Sequence, residues 1–447
     1  MKHKQHLIGL LLLCTLLILG TAITQGQDDE SESVAAARDK ALDIVGGAPI
    51  GGTVSMLGVL GGEELDAFLS VFAPFEEATG ITVEYESTRD LGAVLQTRID
   101  GGIPPDVVSS SLVGQMVDFA EDGTLVDLSQ FLDMDAVLES YNPALLDSVS
   151  VEGQLYSIFT AVNLVGLIWY NPEQYTGPNP PATWDELVAW AQETADSGTT
   201  PWCIGLESGP ASGWPGTNWI NEILMRQVDA ETYASWWQGT LPWSSEPVRQ
   251  AFETFGSIAT NSDMVTGGPI AVLATSFLNG ADAMYADPPA CYLHLQASFM
   301  GGIISGNFPE LEAITNINFF PFPDITEDYP GVAQVSGEVM GMFNDTPQAR
   351  AFIDYFASTE AQTLMAETGR WLSANTQIPA EAYPSPYTQA AAAIMSDAET
   401  IYYSGAGLMP QAMTDAFWSG ILRYVQNPDE LDDILNDLDA VREEAYQ

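Results

Sequence analysis

The chain has 447 residues, more than one ordinary hydrophobic core accommodates, so two lobes are expected. Its formal net charge is −49, and Lys40 is the only lysine beyond Lys2 and Lys4. Such an acidic surface repels nucleic acid and anionic lipid, making both poor partners, and fits solubility in a salty milieu without naming a ligand.

Two lysines precede an apolar run at residues 7–19, and the chain turns polar by residue 27. That is the order of an export signal, and the run is short for a permanent span. Residues 1–27 are therefore expected to be a signal peptide and the mature protein extracytoplasmic; an uncleaved anchor stays open. Residues 28–50 read as a flexible tether. Strands are expected at 53–60, 82–85 and 106–110, with helices at 63–79, 90–100 and 113–121. This alternation predicts a parallel sheet with helices on both faces, and ligands on such sheets bind beyond the carboxyl ends of the strands. A polar helical region (133–148) and an extended run (164–170) follow. Thr183 caps a helix over 183–195, with Glu186 three residues on. Residues 201–243 read as an aromatic loop region. Further helices are expected at 246–259, 346–359, 360–368 and 428–446.

Beyond the signal only His294, Cys203 and Cys291 remain of their kinds. A multi-histidine zinc site is thereby excluded, and no cofactor is expected; calcium stays open, because carboxylates suit it. The cysteine pair reads first as a disulfide, with two buried thiols as the alternative.

The segments Gly101-Gly102-Ile103-Pro104-Pro105-Asp106, Leu167-Ile168-Trp169-Tyr170-Asn171, Ala182-Thr183-Trp184-Asp185-Glu186-Leu187 and Thr368-Gly369-Arg370-Trp371-Leu372-Ser373 together resemble the extracellular solute-binding proteins of sugar ABC importers, the maltodextrin-binding type. Pro201-Trp202-Cys203-Ile204-Gly205, Ser212-Gly213-Trp214-Pro215-Gly216 and Asp287-Pro288-Pro289-Ala290-Cys291 resemble the α-glucoside-binding branch, in which the two cysteines would pair. The resemblance implies an α/β, two-lobed periplasmic-binding-protein-like type II fold, each lobe a doubly wound sheet, joined by hinge strands. Crossovers are expected near 159–165, 316–323 and 371–378. Lobe one would hold 50–160 and 320–370, and lobe two 165–315 and 375–447. The implied partners are a small carbohydrate and the membrane permease subunits of the importer, with the receptor itself a monomer and not an enzyme.

A sugar offers a rim of hydroxyls and an apolar C–H face, so its site needs charged hydrogen-bonding groups beside aromatic rings. After the first three strands the candidates are Glu63, Glu64, Arg89, Asp90 and Ser110. In the second lobe they are Glu207, Trp214, Asn218, Trp219, Tyr285 and Asp287, the tryptophans read as loop residues. Gly337 and Glu338 belong to an expected polar loop, and Trp371, near the third crossover, is the foremost stacking ring. Each has a plainer reading: Glu63 and Glu64 as favourable charge at a helix start, Arg89 and Asp90 as a local pair, the tryptophans as core. Trp184, Trp190 and His294 are assigned to structure. The competing function is a secreted glycoside hydrolase using paired carboxylates, which so acidic a chain cannot exclude by composition.

Overall fold

The computed structural model describes residues 31–398 and 400–447, without the side chains of residues 144 and 396. The expected signal peptide lies outside the described residues. The expected tether is in large part a helix, Glu32–Ile44, capped by the Ser31 hydroxyl, which accepts from the Val34 N–H at 3.3 Å. Its small residues Ala37 and Ala41 are fully buried, letting the helix lie close against the helices Ala73–Thr79, Pro347–Ala357 and Thr359–Glu367. The alanines of this segment form a packing face and not a flexible tether.

The strands of the two larger sheets are β1 (Gly52–Gly58), β2 (Ile81–Ser87), β3 (Val107–Ser110), β4 (Ser157–Leu164), β5 (Leu167–Tyr170), β6 (Leu293–Gln296), β7 (Asn318–Pro321), β8 (Val332–Met342) and β9 (Thr400–Tyr403). In the first sheet β1 runs parallel to β2 and β3, as the alternating pattern predicts. The expected helix 63–79 is two helices, Gly62–Ser70 and Ala73–Thr79, divided ahead of Pro74, which cannot donate to a continuing helical ladder. Helix Val113–Glu121 and the capped helix Trp184–Asp196 lie where the sequence places them.

Strand β8 is the organising element. One flank pairs antiparallel with β4 along residues 335–341. The other flank pairs with β9 at residues 332–335 and then with β3 at residues 339–342. Between these two partners, residues 336–338 have a strand on one side only. The expected polar loop at Gly337 and Glu338 is thus the middle of a strand, held in register by β4 and left open on its other flank.

The second sheet has three strands in the order β6-β5-β7, with both pairs antiparallel. It is not the doubly wound sheet expected for this lobe. Its central strand, Leu167-Ile168-Trp169-Tyr170, is fully buried between two partners that arrive from distant parts of the chain. The expected loop region 201–243 contains helices Trp214–Leu224 and Ala230–Trp237. Gly213, at φ 104°, and Pro215 are the entry to a helix, where proline's missing N–H costs nothing. Cys203 and Cys291 form a disulfide with Cα atoms 5.6 Å apart.

The chain crosses between the sheets at residues 164–167 and 321–332. The third crossover is later than expected. Leu372 pairs with Val162 of β4, and residues 400–403 still belong to the first sheet, so the chain leaves it only after Tyr403. Hydrophobic packing switches accordingly: Tyr403 sits in one core cluster, Ala406 and Met409 in the other.

Candidate functional site

A cavity of about 240 Å³ opens where β8 lacks its second partner. One wall comes from the first sheet and its loops: Glu64, Arg89, the 336–338 segment, Trp371 and Tyr403. The opposite wall comes from helix Trp214–Leu224 and neighbouring segments, with Trp214, Thr217, Asn218, Phe277 and Phe299, while Trp418 and Thr414 are supplied by helix Gln411–Gln426. A larger recess of about 600 Å³ adjoins it and includes Arg89, Asp90 and Trp418.

The polar groups are held by backbone. Glu64 stands in the first turn of helix Gly62–Ser70, directly after β1. Arg89, at the end of the β2 connection, is exposed at the rim. The backbone N–H of Gly337 donates to the Tyr403 hydroxyl at 3.1 Å, and that hydroxyl donates to the Gly337 carbonyl at 3.2 Å. The tyrosine thereby replaces a strand partner. A Cβ on residue 337 would come within 2.5 Å of the Ala161 carbonyl, so only glycine lets β4 approach so closely. The Thr160 hydroxyl donates to the Glu338 carbonyl at 3.1 Å. On the opposite wall Asn218 Nδ2 donates to Gln296 Oε1 at 3.2 Å, leaving Asn218 tied to β6.

Electrostatics single out two carboxyls. Burial, reinforced by the nearby Glu64 charge, pushes Glu338 up to about 8, while the Ser109 hydroxyl and Arg89 pull the other way. Burial also raises Glu64, opposed by Arg89 and Arg370. The aromatic groups are packed rather than free-standing. Trp371 is only 4% exposed and meets Phe68 edge to face at 6.5 Å. Trp214 is half-buried, with Phe277 at 5.2 Å and Phe299 at 6.2 Å.

The expected site residues divide by position. Glu64, Arg89, Trp214, Asn218, Gly337, Glu338 and Trp371 meet in the cavity, and Asp90 lines the adjoining recess. The others lie elsewhere. Glu63 is turned outward with its side chain 81% exposed, 3.0 Å from the Arg370 guanidinium. Ser110 is buried and accepts from the Leu112 N–H at 3.0 Å. Glu207 accepts from the Gly209 N–H at 2.8 Å, closing its own loop. Trp219 is core, 5.0 Å from Trp202, because it lies on the inward face of its helix. Tyr285 packs on Phe308 at 5.1 Å, and Asp287 is exposed away from the cavity. His294, assigned to structure, is buried with Nδ1 2.9 Å from the Cys203 carbonyl. Asn163, Phe277, Phe299, Tyr403 and Trp418 line the cavity without having been singled out. They come from segments far apart in the chain, so only the packing of the two sheets brings them together.

Comparison with known proteins places this geometry. The family model for bacterial extracellular solute-binding proteins matches residues 61–363. The osmoprotective compounds-binding protein GgtB of Synechocystis sp. is 36% identical over 379 residues, covering 84% of this chain and 89% of its own. The alpha-glucosides-binding periplasmic protein AglE of Rhizobium meliloti is 32% identical, covering 84% of each chain. Among solved structures, a chitin oligosaccharide binding protein superimposes with a TM-score of 0.76 at 17% identity, covering 88% of this chain and 98% of that one. With two lobes, a cavity between two sheets and this match along most of its length, the chain belongs to the bacterial extracellular solute-binding proteins.

Proposed function

We propose that the protein is the extracytoplasmic receptor of an ABC importer. It captures a small neutral sugar, an α-glucoside or similar polyhydroxylated compound, between its lobes and delivers it to the membrane permease without altering it. Two relatives, one described as binding α-glucosides and the other osmoprotective compounds, support that ligand class. The observation that carries the reading is the meeting of Glu64, Arg89, Asn218 and Glu338 with Trp214 and Trp371 in one cavity. Hydrogen-bonding groups serve the hydroxyl rim and rings serve the C–H face.

Thermal shift against maltose, trehalose, sucrose and a longer maltodextrin tests this. A ligand at about 100 times its Kd should stabilise the protein by roughly 2.7 kcal/mol through mass action. The disaccharides should raise the melting temperature, and none should be consumed on prolonged incubation. Absence of any shift would remove the sugar reading; release of glucose would replace it with the hydrolase.

A further inference from the structure

We propose that Glu338 serves the ligand as a hydrogen-bond donor: an uncharged carboxylic acid in the cavity wall that gives its proton to an oxygen lone pair of the sugar. The proposal rests on the sugar-receptor reading and adds the chemical form of the contact. It begins with position. Glu338 closes the segment of β8 that lacks a second strand, where the register with β4 shifts between Glu338 and Val339. The residue lines the cavity, yet its Oε2 is shut off from solvent and has no hydrogen-bond partner among the described residues. An anionic oxygen left in that condition carries a large desolvation penalty, whereas a protonated carboxyl carries a much smaller one.

The groups facing Glu338 are Glu64 from the helix after β1, Tyr85 from β2, Arg89 from the loop beyond it, Ser109 from β3 and Tyr403 from β9. The Tyr85 hydroxyl already accepts from the Leu60 N–H at 3.0 Å. The Tyr403 hydroxyl is occupied on both sides by Gly337. Arg89 has no lone pair to offer, and the like charge of Glu64 opposes ionisation. The Ser109 hydroxyl lowers the carboxyl as a donor to it, which leaves a protonated Glu338 its own O–H to give, and the cavity is where an acceptor can come from. With Glu338 neutral, Glu64 and Arg89 balance one another, and the cavity carries no net charge. That balance suits an uncharged polyol better than a cation.

The experiment is calorimetric binding of maltose and trehalose at pH 7 and pH 9 to the wild-type protein and to Glu338→Gln, which donates through its amide at every pH. A group pushed up to about 8 is about nine-tenths protonated at pH 7 and about one-tenth at pH 9, so wild-type affinity should fall about tenfold. The ratio for Glu338→Gln should be near one. In parallel, the Glu338 carboxyl carbon, assigned by its absence from the variant's spectrum, should titrate near 8 in the unliganded protein. A flat wild-type affinity, an unchanged tenfold ratio in the variant, or a carboxyl titrating near 4.5 overturns the donor role. If neither sugar binds at any pH, the sugar-receptor reading itself fails, and the carbon titration reports separately whether the acid is neutral.

Discussion

Trp371 has two surroundings at once, and its substitution should register in both. One part of the ring lines the cavity; the rest is packed on Phe68, leaving 4% of the residue exposed. The sequence suggests a ring that could be removed without harm to the unliganded fold, and the packing contradicts that. Trp371→Ala should weaken sugar affinity tenfold or more and also lower the unliganded melt, since truncating a buried tryptophan costs roughly 3–5 kcal/mol. Trp214→Ala is the cleaner probe, because its half-buried ring rests on Phe277 and Phe299 without entering the core. It should cut affinity by a similar factor with a smaller change in melting temperature. Equal affinity for the wild type and both variants would exclude the rings from the site. The charged residues show why site legibility was partial. Glu64 and Glu63 are neighbours in sequence and chemically alike, but one turn of helix sends Glu64 inward and Glu63 out to Arg370. Adjacent helical positions point about 100° apart, and which of them faces a cleft depends on what lies opposite.

At the scale of elements, the disulfide and its histidine form one local unit. Cys203 donates its N–H to the Leu293 carbonyl at 2.8 Å, and the Cys203 carbonyl lies 2.9 Å from His294 Nδ1. Backbone pairing already fastens these segments, so the bond adds chiefly by restricting the unfolded chain across a separation of 88 residues. The double substitution Cys203→Ser with Cys291→Ser should leave the protein folded but less stable by roughly 2–5 kcal/mol, read from denaturant unfolding. An unchanged midpoint would refute the contribution. Burial lowers His294 to about 4, against an ordinary value near 6.5. An unfolded chain then binds a proton that the folded one refuses, so this contribution to stability is present above about pH 6.5 and declines as pH falls toward 4. Because buried carboxyls such as Glu338 contribute the opposite sign, the measurement is a difference: as pH falls from 6.5 to 4 the wild type should lose melting temperature relative to His294→Gln, and a constant difference would refute the contribution. Elements with regular periodicity, such as Val113–Glu121 and Trp184–Asp196, were legible because local pattern and tertiary demand agree there. Helix Trp214–Leu224 was not, because nearly all of its residues are buried and no polar stripe marks its outer face. The 336–338 segment was missed for another reason: a strand's continuity comes from β4, a partner far away in the sequence.

The whole molecule depends on how two sheets are joined, and a buried ion pair sits at that junction. Glu222 and Arg226 are almost wholly buried and bonded to each other, and burial raises the Glu222 carboxyl against the pull of Arg226. Arg226 also donates to the Val332 carbonyl at 2.9 Å and lies over the Phe322 ring at 5.1 Å, at the two ends of the second crossover. At the first crossover, Gly166, with φ 71°, leaves the Glu222 carboxyl the space that a Cβ would fill at 2.2 Å. The pair therefore touches two of the three connections about which the lobes would move on closing. Hinged closure on a ligand follows when both walls contact it, since those contacts favour the closed state alone. Small-angle scattering should then show a smaller radius of gyration with maltose or trehalose than without. Arg226→Met leaves Glu222 buried without its partner, a change that costs roughly 3–5 kcal/mol. The double variant Glu222→Gln with Arg226→Met removes both charges and should recover much of that loss. If the pair also sets the hinge, the double variant, although refolded to near wild-type stability, should show a scattering change on sugar addition that differs from the wild type's. Identical scattering changes in the two proteins would confine the pair to stability, and superimposable free and loaded profiles in the wild type would refute the closing motion itself.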